Sequence, residues 1–246
     1  MRNRLAITKS VSALALAYEG LATRDYGVPG MCLVHGYTGA GKTTAVTWQV
    51  NRTRGVYVRA TSQWTPSTML GSIMREVGAA PLQRRQAMLD HIVEQLAAAQ
   101  RPLFVDEADY LLHGGRAGDM LEVLRDVHDV SGVPVILIGM QGIDKRLVHR
   151  PQLARRLSHW VEFLPSDLDD ARILATTVCE VAVDDELLAR LHGEAKGSIG
   201  LMTVGLARIE SLGKANGWAQ VTAEQWGERK LFIGGAPRAA AGLGGY

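Results

Sequence analysis

Cysteine is almost missing from this sequence. Cys32 and Cys179 are the two present among 246 residues. They are far apart and fit no zinc spacing, which excludes a disulfide-stapled secreted domain and points to a reducing compartment. Net charge is almost missing too. Its 27 basic and 25 acidic residues leave +2, which excludes a polybasic tail protein and an acidic disordered one. Taken whole, that balance promises no nucleic-acid partner. Long apolar runs are absent: the longest is about eight residues, against the roughly 20 of a membrane span. Internal repeats are absent as well. What remains is ordinary globular composition, 47% hydrophobic and 21% charged. The length suits one large domain with a small appendage.

Arg2, Arg4 and Lys9 precede the apolar stretch Val11–Ala17, superficially a signal peptide. Ile7, Val11, Leu14, Tyr18 and Leu21 recur at spacings of four and three, however, which is one face of a helix. An amphipathic helix over about 5–22 in a cytoplasmic protein is the better reading.

Charge is uneven along the chain. Residues 1–60 carry eight basic and two acidic side chains, and residues 131–160 carry five and one. Residues 106–130 carry two and seven, and residues 161–200 three and nine. Such blocks allow a basic surface beside an acidic one in a nearly neutral protein, although solvated helix faces give the same pattern.

Buried-strand patterns occur at Met31–His35, Gly55–Ala60, Pro102–Asp106, Val133–Gly139 and His159–Phe163. Helical patterns are expected between them, over about 42–52, 66–77, 82–99 and 118–130. Strands alternating with helices predict an α/β fold with a parallel sheet sandwiched by helices. After Pro165 only helices are expected: 168–178, 185–194, 199–215 and 222–231, opening near Asp167, Asp184, Ser198 and Thr222. The predicted organisation is an N-terminal helix packed on the core (1–26), a nucleotide-binding α/β domain (27–165), a small all-helical lid (166–232) and a flexible glycine-rich tail (233–246).

Gly36-Tyr-Thr-Gly-Ala-Gly-Lys-Thr43 matches the P-loop pattern, with an apolar strand before it and a helix after. Backbone N–H groups of Gly36, Tyr37, Thr38, Gly39, Ala40 and Gly41 would wrap phosphates, and Thr44 follows in the helix. Lys42 would reach the β- and γ-phosphates of ATP, and Thr43 would place its hydroxyl on Mg²⁺. Leu103-Phe-Val-Asp106-Glu107 delivers an acidic pair from a second apolar strand. Asp106 would hold Mg²⁺ through water, and Glu107 would polarise the attacking water. The simpler alternative makes the pair a helix cap. Asp109 reads as structural.

After the fourth strand, Gln141 is either a γ-phosphate sensor or an exposed loop amide. Arg156, with Arg155 second, either reaches a neighbouring copy's nucleotide or belongs to a solvated surface pair that ion-pairs with a neighbouring subunit. The loop Arg59-Ala-Thr-Ser-Gln-Trp64-Thr65 and the stretch ending His113-Gly-Gly-Arg116 are candidate DNA contacts. Trp64 folded inward is the alternative. Trp48, Trp160, Trp218 and Trp226 read as core or half-buried anchors, and His35 as a strand-end residue.

These motifs occur in the order of AAA+ ATPases, and the chain resembles that class over about 5–232. Val34–Thr44, Val105–Leu111, Leu121–Asp129 and Gly132–Met140 resemble, within the class, the transposition-target ATPases of the phage Mu B type. That resemblance implies ATP and Mg²⁺ as cofactors. It implies little sequence preference for double-stranded DNA, self-assembly into a helical filament or ring with ATP between subunits, and recruitment of a transposase. It departs from the type at two points. No helix-turn-helix domain fits before Gly36, and Gly200 stands where many such lids carry an arginine, with Arg208 two turns later. Hydrolysis is therefore expected to be weak or partner-stimulated. A helicase loader or replication initiator of the same superfamily is the alternative. A small-metabolite P-loop kinase fits the helical C-terminal part and Glu107 less well, and a binding protein with a dead site is the remaining reading.

Overall fold

The computed structural model describes residues 1–25, 27–112 and 117–232, apart from the side chains of Ala117 and Leu153. His113, Arg116 and the tail 233–246 lie outside the described residues. The chain divides into two compact units. One comprises Ser10–Thr38 and Lys42–Leu164; the other comprises Met1–Lys9, Gly39–Gly41 and the chain from Pro165.

The larger unit is a five-stranded parallel sheet with the strand order β2-β3-β4-β1-β5. The strands are β1 (Met31–Gly36), β2 (Val56–Arg59), β3 (Leu103–Asp106), β4 (Val135–Ile138) and β5 (Leu157–Phe163). Val135, Ile136, Leu137 and Ile138 are all buried, as β1 is throughout. These are inner strands whose apolar run faces helices on both sides. The edge strands β2 and β5 instead carry exposed positions. Trp160 on β5 is 41% exposed, a correction to its reading as an anchor: an edge strand presents one flank to solvent.

The helices are α1 (Lys9–Ala22), α2 (Lys42–Thr53), α3 (Pro66–Glu76), α4 (Arg85–Ala99), α5 (Ala117–Ser131), α6 (Ile143–Val148) and α7 (Pro151–Ala154). α3 starts sharply because Thr65 and Thr68 form a capping box and Pro66 takes the first helical turn. The first helix begins four residues later than expected, at Lys9. Residues 1–9 fall in the other unit, and the helix from Ser10 onward belongs with the sheet.

The smaller unit contains α8 (Leu168–Val178), α9 (Asp185–Ala195), α10 (Ile199–Ala215) and the short α11 (Ala223–Trp226). Asp167, Asp184, Ser198 and Thr222 each accept a backbone N–H as N-caps. The unit is mainly helical, and contrary to expectation it also holds a two-stranded parallel pair. This joins β6 (Ala182–Val183) to β7 (Gln220–Val221). Strands of two residues leave no periodic trace. Among the described residues, no helix is long and apolar enough to cross a membrane.

Candidate functional site

Strand β1 runs directly into the P-loop, and Gly36 at its end could be no other residue without disruption. Its φ is +131°, and a Cβ there would lie 2.3 Å from the Phe163 carbonyl oxygen. The Tyr37 N–H donates to that same oxygen at 2.9 Å. Gly39 and Gly41 have φ of +85° and +88°, conformations in which consecutive backbone N–H groups turn toward one concavity. Lys42 Nζ donates to the Gly36 and Tyr37 carbonyls at 2.6 and 2.8 Å. Burial lowers the Lys42 pKa, and Asp106, Asp109 and Glu107 partly offset this by favouring the charged form. The half-buried ammonium thus sits at the loop mouth, where a phosphate would replace the two carbonyls. Thr43 and Thr44 are exposed at the start of α2.

Asp106 and Glu107 sit where β3 ends, on the same sheet end as the P-loop, because every strand runs parallel. Tyr57 on β2 donates its hydroxyl to Asp106 Oδ2 at 2.6 Å, and the Glu107 N–H donates to Asp106 Oδ1 at 2.8 Å. The Tyr57 pKa is driven far up by burial and by that carboxylate, so the phenol stays a donor. Glu107 has φ +54°, strained for a side chain of its size. Its Oε1 accepts from Arg59 Nη2 at 2.9 Å, and this bond raises the Arg59 pKa.

The acidic pair and the P-loop therefore fit MgATP. The loop offers a glycine cradle and a cation, while Asp106 keeps lone pairs in reach of a hydrated metal. No cluster of three or more His, Cys, Asp or Glu capable of holding a metal alone occurs among the described residues.

Gln141 lies exposed just past β4, on the same sheet end. Arg156 lies at the opposite end, beside the start of β5; its carbonyl accepts the Met31 N–H at 3.1 Å. Arg156 Nη2 is paired with Asp129 Oδ2 at 2.8 Å, while its Nε is buried with no partner. Arg155 is exposed. Arg59, expected on a DNA-facing loop, is held instead by Glu107. Trp64 is partly buried against the core, and Thr65 is committed to the α3 cap. His35 is buried at 7%, with Nδ1 3.8 Å from Asp144 Oδ1.

Sequence reasoning missed Tyr57 and the pairing of Arg59 with Glu107. The strand register Tyr57↔Phe104 and Arg59↔Asp106 creates both contacts, and register is not written in either strand alone. Sequence reasoning read Asp109 as structural but could not name its partners. This carboxylate is 9% exposed and accepts the Met140 N–H at 2.7 Å; it also pairs with Arg146.

A five-stranded parallel sheet in this order, with a P-loop after β1 and an acidic pair after β3, defines a P-loop nucleoside triphosphatase domain. The sequence profile of the AAA domain family matches residues 25–147, and the chain belongs to that family. No curated protein matches the sequence. Solved structures share the fold. The Aeropyrum pernix ORC2 protein, in ADPNP and ADP complexes, superposes with a TM-score of 0.68 at 18% identity, over 92% of this chain and 68% of that one. The ORC1 protein of the same organism, in complex with DNA, gives 0.61 at 18% identity, over 88% and 62%. Cdc6p of Pyrobaculum aerophilum gives 0.61 at 16%, over 89% and 65%. The chain spans less than two thirds of the last two.

Proposed function

We propose that this chain is an ATP-dependent DNA-binding ATPase of the initiator or helicase-loader kind, assembling as several copies on duplex DNA. The carrying observation is the shared sheet end. It brings the P-loop, Asp106, Glu107 and Gln141 together on a fold shared with proteins solved with DNA or with nucleotide. Bound MgATP supplies the phosphoanhydride to be cleaved. Lys42 neutralises phosphate charge, and Thr43 and Asp106 hold the cation. Glu107, released from Arg59, orients water and accepts its proton, and Gln141 donates to the terminal phosphate. Arg156, released from Asp129, serves the neighbouring copy's site.

A second reading, a target-binding partner of a transposase, is favoured by the four sequence stretches that resemble the Mu B type. No solved neighbour named above supports it, so the initiator reading is preferred. Both share one biochemical core, which DNA binding tests. Fluorescence anisotropy on random-sequence duplex at low salt should show binding that requires ATP and falls steeply with added salt. No binding under those conditions sinks both readings. ATP-dependent loading of a replicative helicase, against stimulation of strand transfer by a transposase, separates them.

A further inference from the structure

We propose that Asp109 is a positioning residue that fixes the turn carrying Gln141 beside the hydrolytic pair. The inference rests on the reading of Gln141 as the γ-phosphate sensor. The place of Asp109 in the chain and two of its contacts, all within the sheet-bearing unit, support it. Asp109 lies in the 3-10 turn Ala108–Leu112, directly after Asp106 and Glu107. Its Oδ2 accepts the Met140 N–H at 2.7 Å, and the turn Met140–Gly142 leads into α6. Its Oδ1 accepts from Arg146 on α6. One carboxylate thus spans the element after β3 and both ends of the segment after β4.

The surroundings are built around this contact. A Cβ on Gly139 would lie 2.8 Å from Asp109 Oδ2 and 2.5 Å from Ile143 Cδ1, so glycine is what lets the backbone approach the carboxylate. Met140 itself is 49% exposed and contributes its backbone, not its side chain. Gln141 follows immediately. An exposed side chain on a turn needs a fixed backbone to hold one direction, because a misplacement of about 1 Å can cost roughly a hundredfold in rate. The anchor also ties that turn to Glu107, two residues before Asp109, so the sensor and the residue that orients water share one support.

The test uses the full chain and two readouts. In ligand-free protein, Asp109→Ala should speed hydrogen exchange of the Met140 amide by about tenfold, the loss expected for one part-buried bond to a charged acceptor. Asp109→Asn, which keeps an acceptor oxygen, should change it less and serves if Asp109→Ala does not fold. In a Glu107→Gln background, which separates binding from hydrolysis, the preference for ATP over ADP is measured by calorimetry. Asp109→Ala and Gln141→Ala should each reduce that preference, and the double variant should reduce it no further than either alone. The proposal is overturned if Met140 exchange is unchanged, if the double variant loses more than the single ones, or if ATP and ADP weaken equally. Should Gln141→Ala leave the preference intact while Asp109→Ala lowers it, the sensor reading fails, and Asp109 does not act through Gln141.

Discussion

Tyr57 and Arg59 stand two positions apart on β2, on the same flank of the strand, and each touches one member of the acidic pair. Tyr57 holds the Asp106 carboxylate in place through its hydroxyl. Arg59 works against the proposed mechanism, because it occupies the Glu107 oxygen that would face water. The pair is exposed on the arginine side and so easily opened. Arg59→Ala should therefore raise basal ATP turnover about two- to fivefold, read in a steady-state phosphate-release assay; an unchanged or lower rate would mean that Arg59 does not restrain Glu107. Glu107→Gln should keep ATP binding and lower turnover by roughly a hundredfold or more, the usual share of a general base. Its DNA complexes should persist abnormally long, and filter-binding chases would show this. The two cysteines take no part. Burial raises the Cys32 thiol to about 12 and Cys179 to about 11, so both stay protonated and unreactive in the native state.

Some elements depend on single side chains. His128 on α5 accepts the Gly30 N–H at Nε2, 3.2 Å away, and shares its Nδ1 proton with the Val133 carbonyl, 2.9 Å away. It thereby ties the entries of β1 and β4 to α5, and the contact to Gly30 requires a neutral ring. Burial lowers its pKa below the ordinary 6.5. In the window between that value and the lowered one, the unfolded chain binds a proton that the folded chain refuses. Stability should thus fall as pH drops below about 6.5 and level off below the folded-state value. His128→Gln should flatten that slope in urea titrations between pH 7 and 5. A parallel slope in wild type and variant would remove His128 from the account. Asp184 joins two elements in the smaller unit. Its Oδ1 accepts the Leu187 N–H at the start of α9, and its Oδ2 the Ala223 N–H at the start of α11. Asp184→Ala should cost about 2 kcal/mol, a cap and a second backbone bond together, measured by chemical denaturation. A cost near zero would show both ends satisfied by water.

At the scale of the molecule, the proposed assembly puts Glu107 and Arg156 of different copies at one site. Glu107→Gln and Arg156→Ala proteins, each slow alone, should recover turnover when mixed, because some interfaces then pair an intact base with an intact arginine. No recovery would mean that each copy works by itself. Much of this was legible beforehand. The P-loop and acidic pair carry their own residue spacing, and the limits of α8 and α10 follow from Asp167 and Ser198 as caps. What was not legible needed partners distant in sequence. α6 and α7 are too short for a helical period, β6 and β7 exist only through each other, and Asp109 gains meaning only once Met140 arrives beside it. One consequence concerns the order in which the protein is made. Both strands that flank β1 are made more than a hundred residues after it begins: Met31 pairs with Val135 on one side and Leu157 on the other. The P-loop strand therefore waits, apolar and unpaired, until those strands are made. A nascent chain halted before Phe163 should fail to protect Gly36 or bind nucleotide, and the newborn protein would depend on chaperones during that interval.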